Sequence, residues 1–126
     1  MKKIYVLCTA FLILLGCKSS AGISFCEGVS PGGEGKRCGQ TFTTGEVTAL
    51  VKASANFDAE SLEMMIYEKG KYSYKLLETM TLKVKPDQRR ARGNIALFNE
   101  GVFRVVVRGK DEKVIAQGEL TVVDTY

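Results

Sequence analysis

From Gln40 onward, apolar and polar residues alternate in short blocks with a period of two, the pattern of half-buried strands rather than helices. Val47, Ala49, Val51 and Ala53 alternate with Thr48, Leu50 and Lys52. Leu62, Met64 and Ile66 then alternate with Glu63, Met65 and Tyr67. Lys69, Gly70 and Lys71 turn the chain into Tyr72 to Leu77. The clearest alternation sets Met80, Leu82 and Val84 inward against Thr79, Thr81, Lys83 and Lys85, and ends at Pro86. Asp58 to Met65 is the one stretch where helical spacing competes, and it reads as loop followed by strand.

After the polar stretch Asp87 to Arg92 come Asn94 to Phe98 and a turn at Asn99, Glu100 and Gly101. Phe103, Val105 and Val107 then point inward, between Arg104, Val106 and Arg108. A second turn, Gly109 to Lys113, leads into Val114 to Val123, so the last two strands form a hairpin. About seven strands at spacings of about 8 to 12 residues, with no long amphipathic helix, predict an all-β fold: a single antiparallel β-sandwich or barrel. The final strand, ending at Tyr126, is read as an exposed edge open to a partner strand.

The first 25 residues follow a different pattern. Lys2 and Lys3 precede an apolar run, Ile4 to Leu15, broken only by Thr9. That run is shorter than the ~20 residues a bilayer-spanning helix needs, and with its charged start it has the organisation of a secretion signal. It ends in Leu14, Leu15, Gly16 and Cys17. This resembles the lipobox of bacterial lipoproteins. The resemblance implies cleavage after Gly16, a diacylglycerol thioether on Cys17, and an envelope location tethered to a membrane by that lipid. By the same resemblance Lys18, which is not aspartate, permits transfer to the outer membrane. The domain plan is therefore a signal peptide over 1–16, a lipidated cysteine and short tether over 17–25, and a β-sandwich over 26–126.

Cleavage would leave 110 residues, enough for one domain with one core. Without Lys2 and Lys3 it would carry 16 basic against 14 acidic groups. Such a balance does not suit a nucleic-acid partner, which calls for a strong basic patch. With Cys8 in the leader and Cys17 taken by lipid, Cys26 and Cys38 remain as an even pair and are expected to form a disulfide. Eleven residues separate them, unlike the two of a redox couple. Glu27 to Arg37 holds four glycines and a proline and is expected to be an exposed loop. Gly35 and Lys36 do not make a phosphate-binding loop, because Arg37 stands where serine or threonine is needed.

The stretch Leu97 to Val107, a turn glycine followed by an aromatic and alternating valines, resembles the penultimate strand of immunoglobulin-like domains. Phe103 stands where many of those domains place tyrosine, and there is no tryptophan. The resemblance is to an architecture and implies an immunoglobulin-like sandwich without naming a function.

The chain contains no histidine, which removes the usual triads, the commonest zinc ligand and the commonest general base. No catalytic or metal-binding residues, and no cofactor beyond the lipid on Cys17, are assigned. Asp58 with Glu60, and Asp111 with Glu112, sit in turns where solubility explains them. Two features suit a binding surface. One is the basic run Lys83, Lys85, Arg89, Arg90 and Arg92, which suits an acidic polysaccharide, a lipid headgroup or an acidic protein patch, or else is a solvated strand face running into a hairpin loop. The other is Tyr67, Tyr72 and Tyr74 about a tight turn, which serve equally as interface anchors or as sheet stabilisers. The function expected is a lipid-anchored, non-catalytic binding module of the cell envelope with a protein or acidic polysaccharide ligand; the alternative is a periplasmic inhibitor or accessory lipoprotein.

Overall fold

A computed structural model describes residues 21–43 and 46–123. Cys17 and Tyr126 therefore lie outside the described residues. Within them the fold is a sandwich of two sheets. One holds four strands in the order β2-β1-β4-β7 and the other five in the order β3-β9-β8-β5-β6. The strands are β1 Gly22–Val29, β2 Gly35–Gly39, β3 Thr41–Phe42, β4 Glu46–Lys52, β5 Ser61–Lys69, β6 Tyr74–Lys83, β7 Arg90–Ala96, β8 Gly101–Arg108 and β9 Val114–Val122. The period-two blocks place the core: Val47, Ala49, Val51, Leu62, Met64, Ile66, Phe103, Val105, Val107 and Leu120 are all buried between the sheets. Asp58 to Met65 is loop and strand, as the alternation implies.

The nine strands exceed the seven or so expected: β1, β2 and β3 precede the first alternating block at Val47, while Tyr72 to Leu77 and Met80 to Val84, read as separate blocks, merge in the single strand β6. Glu27 to Arg37 is not a loop. Its ends belong to β1 and β2, an antiparallel pair with Cys26 opposite Cys38 and Val29 opposite Gly35. Only Ser30 to Glu34 forms the turn, closed by the Ser30 N–H on the Glu34 carbonyl at 2.7 Å and by the Glu34 N–H on Ser30 Oγ at 3.1 Å. Gly33 sits in that turn at φ 90°, where a side chain would be strained. Every residue of β2 is exposed, so no apolar face betrays it in the sequence. The additional strand β3 has two residues and pairs in parallel with the end of β9.

Three further expectations are corrected. β1 begins at Gly22, inside the stretch assigned to the tether. The polar stretch Asp87 to Arg92 is not a hairpin loop: β7 starts at Arg90, and the connection from β6 passes from one sheet to the other. The final strand is an edge only in part: β9 lies between β8 and β3, but β3 pairs with Thr121 and Val122 alone, and no strand among the described residues pairs with the outer side of Val114 to Leu120. The edges on the opposite side of the sandwich are β6 and β7. There Gly93 of β7 packs beneath Leu82 of β6, so closely that an added Cβ would come within 3.0 Å of Leu82 Cδ2.

Candidate basic groove

The outward face of the four-stranded sheet carries the disulfide. Cys26 and Cys38 face each other on β1 and β2 and are bonded, with Cα atoms 3.8 Å apart, as the cysteine count implied. The pair joins neighbouring strands of one sheet instead of the two sheets. Gly35 packs directly over both sulfurs, with Leu50 Cδ1 3.0 Å from where its Cβ would stand. This contact fixes the β1–β2 hairpin against β4. The hairpin tip, including Val29 and Pro31, forms one wall of an open groove of about 730 Å³.

Basic side chains form the other side of this groove. Lys52 on β4 stands directly opposite Arg90 on β7, and Leu50 opposite Arg92. Alternation puts all four on the outward face, and all four line the groove. Lys52, Arg90 and Arg92 are exposed, and no carboxylate among the described residues is within ion-pair distance of any of them. Like charges directly opposite each other across two strands repel and destabilise the pair. The groove thus combines an uncompensated positive cluster with an apolar wall.

The basic run read from the sequence divides here. Arg90 and Arg92 reach the groove, joined by Lys52, which sequence reasoning did not single out because it lies far away in the chain. Lys83 ends β6 in the other sheet. Lys85 belongs to a turn in which its N–H donates to Gln88 Oε1 at 3.1 Å. Arg89 donates from Nε to Asn56 Oδ1 at 3.3 Å, and its carbonyl accepts from the Ala53 N–H at 2.8 Å.

Two of the three tyrosines share a face: Tyr67 stands opposite Arg104, and Tyr74 stacks on the same Arg104, whereas Tyr72 lies in the adjoining turn. Tyr72 projects from the β5–β6 turn, 91% exposed, with Lys71 Nζ 5.8 Å from its ring centre. Tyr67 donates to Met65 Sδ at 3.8 Å on the outward face of the five-stranded sheet. Tyr74 reaches across the same face: its hydroxyl donates to Glu119 Oε2 at 2.7 Å, while Arg104 Nη2 donates to both groups and stacks on the Tyr74 ring, 4.1 Å from its centre. The hydrogen bond to Glu119 raises the Tyr74 pKa above its ordinary value. The same bond, followed by the one from Arg104, lowers that of Glu119. For Tyr74 the sheet-stabilising role is the one its contacts describe.

No family model and no curated protein matches this chain, so its chemistry rests on its own residues.

Proposed function

We propose that this chain is a lipid-anchored, non-catalytic binding module of the bacterial cell envelope, and that it captures an anionic ligand in the groove of Lys52, Arg90 and Arg92. The observation that carries this reading is the facing pair Lys52 and Arg90, with no carboxylate partner among the described residues. An anionic ligand relieves the repulsion between them. Arg92 adds a planar guanidinium, suited to bidentate contact with a carboxylate, and Leu50, Val29 and Pro31 offer apolar surface beside it. Anchoring by Cys17, and through it the outer-membrane location, is supported by Leu14, Leu15, Gly16 and Cys17 after the short apolar run.

The test is equilibrium binding of two soluble polyanions, polyglutamate and polygalacturonate, to the full chain kept in detergent. The wild type should bind at least one of them, more weakly as salt rises. Lys52→Glu combined with Arg92→Glu should weaken that binding by about tenfold or more, a loss of ~1.4 kcal/mol. Equal binding by wild type and variant would dismiss the groove as the site.

A further inference from the structure

The groove is bounded by β7, which has no strand on its outer side among the described residues, and the ladder with β4 fixes which backbone groups face that edge. β4 and β7 pair antiparallel without a bulge, Lys52 opposite Arg90 through Glu46 opposite Ala96. One step beyond, the Ala53 N–H donates to the carbonyl of Arg89 directly opposite it, at 2.8 Å. In an antiparallel ladder, pairs that exchange backbone hydrogen bonds alternate with pairs that do not. Counting from Ala53 and Arg89, residues Ala91, Gly93 and Ile95 turn their backbone groups toward β4. Arg90, Arg92 and Asn94 therefore turn theirs toward the open edge. The two arginines that bring charge to the groove also present unpaired backbone donors and acceptors beside it.

The inward side of this edge has a different character. Met80 and Val84, from the β6 end of the other sheet, and Ala91 of β7 itself are partly buried apolar residues packed against the core. They account for three of the five such residues among those described, so the apolar margin of the core is concentrated on this side.

We infer that the β7 edge accepts an extended acidic polypeptide strand, added antiparallel, in which carboxylate residues alternate with apolar ones. This rests on the groove reading above and specifies its ligand. In such a strand the acidic side chains stand opposite Arg90 and Arg92 on the groove face, about 6.8 Å apart at two residues of strand rise. The apolar side chains turn inward toward Ala91 and Met80. Their backbone pairs with Arg90, Arg92 and Asn94, which supplies affinity independent of side chains, as in other cases of strand addition. A polysaccharide meets the charges but has no backbone amides for this edge.

The test uses the full chain in detergent and labelled synthetic peptides. The probe reads Thr-Glu-Val-Glu-Val-Glu-Thr with both ends capped. Its controls are the block isomer Thr-Val-Val-Glu-Glu-Glu-Thr and two methylated forms of the probe. Methylation of the glutamate amides blocks the N–H groups that would face β7, and methylation of the valine amides leaves those groups free. The probe and its valine-methylated form should bind at least about tenfold more tightly than the other two peptides, and Arg90→Glu with Arg92→Glu should remove the difference. If all four peptides bind alike and the charge reversal weakens all of them, the strand is overturned while the anionic groove stands. Tight binding of polygalacturonate without peptide binding has the same meaning. Binding that no charge reversal affects overturns the groove and the strand together.

Discussion

The Tyr74 hydroxyl is hydrogen-bonded to Glu119 Oε2 at 2.7 Å, joining the edge strand β6 to β9 across the two strands that lie between them. Arg104, on one of those intervening strands, completes the contact from below the Tyr74 ring. The Tyr74 and Glu119 side chains together thus bridge four of the five strands of the sheet.

This bond predicts a pH dependence with two limits. The Tyr74 pKa is raised by its hydrogen bond to Glu119, so its contribution to stability is intact below the ordinary phenol value near 10 and is lost as pH rises through the raised value. The Glu119 pKa is lowered, so its contribution holds above the ordinary carboxylate range and is lost as pH falls through the lowered value. Phenolate absorbance of the folded chain should include a late ionisation, above the ordinary phenol value, that belongs to Tyr74. Tyr74→Phe should remove that late transition, and Glu119→Gln should move it to lower pH. A titration that Tyr74→Phe leaves unchanged at its alkaline end would contradict the bond.

Reducing the Cys26–Cys38 bond should destabilise the domain by about 3 kcal/mol, the chain-entropy value for a loop of this size. Chemical denaturation with and without reductant measures it, and an unchanged midpoint would mean that the closed loop contributes nothing.

Gly35→Ala should cost about 1–3 kcal/mol, because the added methyl group enters space occupied by both sulfurs. In a background of Cys26→Ala and Cys38→Ala the same substitution should cost clearly less, since the atoms it meets are gone. Additive effects in this double-mutant comparison would place the strain elsewhere.

Leu120→Ala in the sandwich core should cost about 2–5 kcal/mol, whereas Leu76→Ala, on the exposed edge strand, should stay within about 0.5 kcal/mol of the wild type. Denaturant midpoints compared at equal slope decide this, and similar losses at both positions would mean that β6 is not a free edge.

Cys17→Ser should abolish incorporation of a labelled fatty acid and leave the leader attached, read as a higher mass. Acylation that persists in the variant would remove the lipobox reading.

The core strands were legible because one face of each is buried: Val47, Ala49, Val51 and Ala53, or Phe103, Val105 and Val107, repeat every second position for that reason. β2 was not legible. Its residues Gly35 to Gly39 bury nothing, and they form a strand because β1 offers backbone partners and the disulfide holds the register. The two-residue β3 carries too few positions to show any period. The groove was half visible. Arg90 and Arg92 stood out as part of a charge run, but nothing local reveals that Lys52 faces Arg90, because strand pairing is set by the whole fold. The same run extends beyond the groove: the Arg89 side chain is held by Asn56, and Lys83 belongs to the other sheet.

The start of β1 at Gly22 also sets a reach. Five residue steps separate it from Cys17, and a fully extended chain covers at most ~18 Å in that span. Were Cys17 held in a lipid leaflet, as proposed, the sandwich would be on a leash no longer than that. It would wait at the bilayer surface for ligands that arrive there, and could not sweep the aqueous space to find them.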